Sequence, residues 1–127
     1  MEFTIPENLK NTIETTVDFE KTATRYDSGL AEVFATPALI AIMEQCAHEA
    51  VQAFLPEGFI TVGTEVNIKH LKATAVGQKV TCYATLVNRD RRELFFDVEA
   101  YDETGLIGKG NHARFIVNKE HFMQKIS

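Results

Sequence analysis

A helix that is apolar on every side constrains the fold of this chain most. The stretch from Ala35 to Leu55 reads ATPALIAIMEQCAHEAVQAFL, and Thr36-Pro37 within it is a typical helix start, a capping hydroxyl followed by proline. Every residue from 38 to 43 is apolar, so this end of the helix has no face suited to water. Other elements must therefore surround it.

The second half of the helix regains a polar side. Four residues share an arc of about 100°, as an ordinary solvated face does: Gln45, His48, Glu49 and Gln52. Glu44 lies on the margin of this arc, directly after the apolar run, so it is either half exposed or held in a cleft. Glu44 and His48 have the spacing to chelate a metal, but no third ligand is evident. An exposed face is the better interpretation, and we expect no metal.

Period-2 alternation predicts strands on both sides of the helix. The predicted strands are Thr12–Phe19, Thr61–Leu71, Lys79–Asn88, Glu93–Asp102 and Leu106–Asn118. In the second strand the alternation places one series toward the helix: Val62, Thr64, Val66, Ile68 and His70. Gly63 falls on the opposite face. Residues 20–34 have no clean period and are predicted to form a flap over the helix start, and 119–126 can add a short amphipathic helix.

Strand, buried helix and four meandering strands make an α+β chain. Its antiparallel sheet of about five strands can bury the helix only by curving around it, which is the hot-dog fold. With 127 residues, we expect one domain over 1–127. A single curved sheet leaves exposed edges, so we expect a homodimer, with a higher homo-oligomer as an alternative.

Composition excludes several partners. The net charge is −5, and the longest basic cluster, Arg89 to Arg92, is interrupted by Asp90, which argues against nucleic acid. No signal pattern and no membrane-spanning run is present. The two cysteines lack metal-type spacing and fit reduced thiols, so the expected location is cytoplasmic.

Three residues can carry chemistry together. Taken singly, Thr36 is more simply a helix cap, Glu44 a solvated side chain and His70 a core histidine. These three groups could converge on one cleft. A hydroxyl at a helix start suits the binding of an oxyanion, and a carboxylate with an inward imidazole suits acid–base or nucleophilic catalysis. Eight residues of continuous helix separate the Cα atoms of Thr36 and Glu44 by about 12 Å. The two must bracket a substrate, belong to different subunits, or have Thr36 folded back before a later helix start.

Two further positions have plausible binding roles. Arg114 can meet a phosphate or carboxylate, or can be an ordinary surface arginine. Gly63 can let a substrate carbonyl approach the backbone, or can simply relieve crowding in a strand.

Three segments resemble the fluoroacetyl-CoA thioesterase family of hot-dog proteins: EVFATPALIAIME, TVGTEVNIKHLKATAVGQKV and EAYDETGLIGKGNHARFIV. The likeness runs from about residue 12 to residue 122. It implies Thr36, Glu44 and His70 as the catalytic residues, with counterparts of the family's glycine and arginine at Gly63 and Arg114. In the flap, Leu30 is the nearest equivalent of a phenylalanine gate in the fluoroacetyl-specific member, which makes it a substrate-binding candidate.

The resemblance implies an acyl-CoA thioesterase. Thr36 and the helix amides would polarise the thioester carbonyl, Glu44 would act as nucleophile or general base, and His70 would orient groups or relay protons. CoA enters as part of the substrate, and no cofactor is expected. A hydroxyacyl-thioester dehydratase and a non-catalytic acyl-CoA-binding module remain alternatives.

Overall fold

The computed structural model describes residues 2–127. Its strands are β1 (Lys10–Thr16), β2 (Phe59–His70), β3 (Lys79–Asp90), β4 (Glu93–Asp102) and β5 (Gly105–Asn118). Its helices are α1 (Ala23–Tyr26), α2 (Thr36–Gln52) and α3 (Lys119–Ile126), with a 3-10 turn at Phe19–Lys21. None of these helices is long and apolar enough to cross a membrane.

The five strands form one antiparallel sheet in the order β1-β3-β4-β5-β2. Helix α2 packs against all five strands, so the sheet wraps around it. The predicted α+β hot-dog architecture is therefore confirmed, including the number of strands. Strands β1 and β2 are the edges of the sheet.

The core lies between the sheet and α2. Its innermost helix residues are Leu39, Met43, Cys46, Ala47 and Val51. One alternating series of β4 is buried throughout, at Leu94, Phe96, Val98 and Ala100. The helix comes very close to β5 at Gly108, where an added Cβ would lie 2.8 Å from a methyl carbon of Leu39. A side chain there would force the helix away from the sheet.

The predicted faces of β2 are wrong in its first half. Thr61 and Gly63, not Val62 and Thr64, face the helix, since they pair with the buried Ile116 and Arg114 of β5. A bulge between residues 63 and 65 adds one residue to β2 and restores the predicted facing from Val66 onward. Because side chains alternate with period 2, one extra residue exchanges the two faces of a strand.

The end of β1 also differs from the prediction. The strand stops at Thr16, and Phe19, the last residue of the predicted strand, lies in the 3-10 turn with 48% of its surface exposed. Val17, one residue beyond the strand, is buried.

Candidate active site

Thr36 and His70 meet at the start of α2. Ala35 is the N-cap residue and Thr36 is the first residue of the helix, so the interpretation of Thr36 as the cap is wrong. Its hydroxyl is free for another partner, and Oγ1 lies 2.8 Å from Nδ1 of His70. The last residue of β2 thus reaches the first residue of α2, across 34 positions of sequence.

A cavity of about 340 Å³ surrounds this pair. Most of its wall is apolar and comes from Ala23, Val33, Phe34, Pro37, Leu71 and Ala73, with Ser28 and Lys72 as polar members. Thr36, at the start of α2, lines this cavity, whereas Ala38 does not. The amides of these two residues make no backbone hydrogen bond within residues 2–127. Free N–H groups at a helix start suit a developing negative charge.

Burial favours the neutral form of the His70 imidazole. Burial lowers its pKa below the ordinary value, and only a weaker effect from the backbone of Lys72 opposes this. Its second nitrogen, Nε2, is buried and has no hydrogen-bond partner among the described residues. The ring of Phe34 packs edge-on against the imidazole, with centroids 6.4 Å apart. A neutral imidazole bound to a hydroxyl can accept or relay a proton.

Glu44 belongs to a second cluster, next to β2 and β5. Its Oε2 lies 3.7 Å from the NH1 atom of Arg114, whose side chain is buried, while the Glu44 side chain is 41% exposed. An added Cβ on Gly63 would lie 2.9 Å from the same carboxylate oxygen. Glycine at this position therefore makes room for Glu44 against the strand.

Arg114 is held rigidly by groups that the sequence did not indicate. Its Nε donates to Oγ1 of Thr61 at 2.7 Å, and its NH2 donates to the Thr61 carbonyl at 2.9 Å. Its NH1 lies 3.0 Å from Nε2 of His112, whose Nδ1 donates to the carbonyl of Glu65 at 2.7 Å. Because that carbonyl can only accept, Nδ1 carries the proton and Nε2 accepts from Arg114. The arginine is thus a fixed cation facing Glu44, not a surface residue.

Nothing in the sequence distinguishes Thr61 in β2 or His112 in β5 from an ordinary strand residue. The alternation predicted Thr61 to face away from the helix, because the bulge cannot be seen in the sequence. Burial lowers the pKa of His112, which fits its neutral role as a spacer between Arg114 and the strand.

The two clusters do not touch within this chain. No hydrogen bond joins Glu44 to Thr36 or His70 in the described residues, and α2 is continuous from Thr36 to Gln52. A later helix start with Thr36 folded back is therefore ruled out. Two explanations remain: Thr36 and Glu44 bracket a substrate, or they come from different subunits.

Leu30 does not line the cavity. It is fully exposed at the loop that follows α1, whereas Ser28 and Val33 from the same segment line the wall. Its binding role stays a prediction. Within residues 2–127 no three His, Cys, Asp or Glu side chains converge to hold a metal ion.

A buried carboxylate anchors the loop beside His70. Both oxygens of Asp102 accept from Nζ of Lys72, at 2.9 and 3.0 Å, and Oδ2 also accepts from the hydroxyl of Thr74 at 2.9 Å. Thr104 donates to the same carboxylate from its amide and its hydroxyl, each at 2.8 Å. The Thr74 carbonyl in turn accepts from the amide of Phe34 at 2.9 Å. Asp102 therefore ties the loop after β2 to the segment that leads into α2.

We expect Asp102→Ala to lower the free energy of unfolding by about 3 kcal/mol, since the ammonium and hydroxyl donors around it lose their acceptor. Chemical denaturation measures this, with the exposed Asp97→Ala on the same strand as the matched control. A loss no larger than the control's would contradict an anchoring role.

The same carboxylate makes stability depend on pH. Burial alone raises the pKa of Asp102, but the hydrogen bonds from Lys72, Thr104 and Thr74 outweigh it and hold the pKa well below its usual value. Below about pH 4 the unfolded chain takes up a proton that the folded chain does not, so stability falls as the pH is lowered. In Asp102→Asn, the free energy of unfolding should therefore depend less on pH below about pH 4, as chemical denaturation at several pH values would measure.

Comparison with known proteins shows the family of this chain. A profile of the fluoroacetyl-CoA-specific thioesterase (FlK) family matches residues 17–120. The fluoroacetyl-CoA thioesterase of Streptantibioticus cattleyicolor is 35% identical over 95 residues, which cover 75% of this chain and 68% of that enzyme.

Solved structures show the same fold. The fluoroacetyl-CoA thioesterase FlK superposes with a TM-score of 0.92 at 29% identity, over 97% of this chain and 96% of that one. A Thermus thermophilus protein described as a thioesterase superfamily member superposes with a TM-score of 0.90 at 30% identity, over 97% and 91%. With most of its length matched by the family profile, this chain belongs to the fluoroacetyl-CoA-specific thioesterase family.

Proposed function

We propose that this protein hydrolyses a small acyl-CoA thioester to the free acid and CoA, with CoA entering only as part of the substrate and without a cofactor. The observation that carries the proposal is the 2.8 Å contact between Thr36 Oγ1 and His70 Nδ1, at a helix start that opens into a cavity. Family membership supports thioester hydrolysis, and a variant of the related FlK enzyme has been solved with fluoroacetate and CoA.

The thioester carbonyl oxygen would lie at the start of α2. There the Thr36 hydroxyl and the free amides stabilise the negative charge that develops when the carbonyl carbon becomes tetrahedral. Glu44 either removes a proton from the water that attacks the carbonyl carbon, or attacks that carbon itself and forms an acyl-enzyme anhydride, which water hydrolyses to the free acid after CoA has left. The C–S bond then breaks, and the CoA sulfur leaves and is protonated. His70 orients Thr36 and relays the proton.

Each remaining site residue has a supporting role. Arg114 keeps Glu44 in place beside the strand, and Gly63 leaves the space that the Glu44 carboxylate occupies. Leu30 would contact the acyl group only if its loop or a second subunit brings the two together. We also propose a cytoplasmic location, because both cysteines are free and buried.

We further propose that two subunits complete the active site. Glu44 contacts β2 at Gly63 and Thr36 contacts it at His70, seven residues further along, roughly 20 Å on an extended strand. Strand β2 is an edge, and its residues 63–67 are exposed. Antiparallel pairing of two β2 edges can place Gly63 of one subunit beside the partner subunit's His70. Glu44 would then face the Thr36–His70 pair of the other chain.

Mixing two inactive variants tests the shared site. Glu44→Gln and His70→Ala, unfolded and refolded together in equal amounts, should recover about a quarter of wild-type activity, because half of random dimers are mixed and each holds one intact site. The measurement is thiol release after mixing, with each variant refolded alone as the control. Absence of recovery in a mixture proven to contain mixed dimers would place Glu44 and His70 in one chain.

A thiol-release assay over acetyl-, butyryl- and longer acyl-CoA tests the activity itself. Release of CoA thiol with each turnover supports hydrolysis. Dehydration of a hydroxyacyl thioester without thiol release would indicate the dehydratase alternative. Saturable acyl-CoA binding without turnover would indicate a binding module.

A further inference from the structure

Phe34 stands between two cavities. Its side chain is buried, with 1% of its surface exposed, and it lines both the Thr36–His70 cavity and a second groove of about 280 Å³ along α2 and β1. Its ring also contacts the imidazole of His70. Phe34 is the one residue that the two linings have in common. Its ring is therefore the wall between the catalytic histidine and the groove.

The second groove offers apolar surface to an aliphatic chain along part of its wall. Six of its ten lining residues are apolar or aromatic, namely Phe34, Ile13, Tyr26, Ala38, Ala41 and Ile42. The other four are polar or charged: Glu14, Thr15, Lys21 and Gln45. Two of the apolar residues, Ala38 and Ala41, carry only a methyl group, so α2 leaves room beside it here. An acyl chain longer than the first cavity would find apolar surface in this groove if the wall were removed.

The wall is fixed by backbone hydrogen bonds. The Phe34 amide donates to the Thr74 carbonyl at 2.9 Å, and the next amide, of Ala35, donates to the Lys21 carbonyl at 2.8 Å. Phe34 also forms an isolated β-bridge with Thr22, whose side chain is buried. The backbone that carries the ring is thus held on both sides of the segment.

We propose that Phe34 sets the acyl-chain length that this enzyme accepts, by closing the acyl end of the Thr36–His70 cavity against the groove along α2. This inference rests on the proposed thioesterase function. The acyl group lies between the thioester carbon at Thr36 and the ring of Phe34. Removing the ring joins the cavity to the groove and gives longer, straight acyl chains an apolar path.

The test compares kcat/KM of wild type, Phe34→Ala and Phe34→Leu for acetyl-, butyryl-, hexanoyl- and octanoyl-CoA. We expect the hexanoyl-to-acetyl ratio of kcat/KM to rise by about tenfold or more in Phe34→Ala, since pockets discriminate by this much per methylene. Phe34→Leu should shift the ratio in the same direction by less. It retains more of the buried side chain and covers the case in which the alanine variant does not fold.

Phe59→Leu is the matched control. Phe59 is also a buried phenylalanine, but it lines neither cavity and packs against Phe3 at the other end of β2. Its variant should keep the wild-type chain-length profile. An equal shift in this control would mean that general loosening of the core is responsible, and would overturn the role of Phe34.

The two hypotheses fail in different ways. Wild-type protein that releases no thiol from any acyl-CoA overturns the proposed function and the inference with it. Wild-type hydrolysis, combined with an unchanged chain-length profile in folded Phe34→Leu, overturns only the role of Phe34.

Discussion

Glu44→Gln should give a folded protein whose kcat for acyl-CoA hydrolysis is lower by roughly 10²- to 10⁴-fold, the usual contribution of a positioned acid–base group. Glutamine nearly matches the shape of glutamate, so it fits the space beside Gly63. It removes the negative charge that faces Arg114 and the group that can accept a proton from water or attack the thioester. Thiol-release kinetics measures the loss, and circular dichroism checks the fold.

Glu49→Gln on the same helix is the control for this experiment. Glu49 is exposed and accepts a hydrogen bond from the side chain of Gln45, so its variant should retain wild-type turnover. If Glu44→Gln also keeps its activity within a few-fold, then Glu44 is an ordinary partner of Arg114. The mechanism would have to proceed from Thr36 and His70 alone.

His70→Ala should depress kcat for every acyl-CoA by a similar factor, of about 10²-fold or more, because it removes a group used in the transition state. Loss of the imidazole also frees the Thr36 hydroxyl from its partner. The measurement is kcat and KM over acetyl, butyryl and longer thioesters. His48→Ala, on the polar side of α2, is the control. Impairment limited to some chain lengths would make His70 part of the pocket wall.

The pH dependence provides a second readout for His70. Burial lowers its pKa, so the neutral imidazole persists to a lower pH than in a solvated histidine. On the acidic side, kcat/KM should therefore begin to decrease only below about pH 6.5, the ordinary histidine value. If His70→Ala shows the same acidic decrease in kcat/KM, then the titration of another group causes it.

Local patterns were sufficient to predict the long helix and the five strands of this fold, but not α1. The apolar run of residues 38–43 predicted a helix surrounded by other elements, and the structure buries four of these six residues, with Ile40 half-buried and Ala41 exposed. Alternation puts Leu94, Phe96, Val98 and Ala100 on one face of β4, and this face is buried. The short helix at 119–126 was also predicted with its observed bounds. These features depend on periodicities of 2 and 3.6 residues, which the side chains of each segment express without reference to the rest of the molecule.

The candidate site could be predicted only in part. The hypothesis was that Thr36, Glu44 and His70 converge on one cleft. The structure places Thr36 and His70 in contact and Glu44 in a separate cluster beside Arg114. Gly63 was assigned to the outer face of β2 and instead faces Glu44, because an unpredicted bulge reverses the alternation. Thr61 and His112, which hold Arg114, carried no signal, since each looks like an ordinary strand residue.

The sequence by itself determined which segments form helix and strands, and which residue types are available for chemistry. The tertiary structure alone decided how those residues are grouped: Thr36 with His70, Glu44 with Arg114, and Phe34 as the wall between two cavities. The physical reason is that such contacts join positions that are distant in the sequence. One bulge in β2 is enough to redirect them, and it is not encoded in the periodicity of that segment.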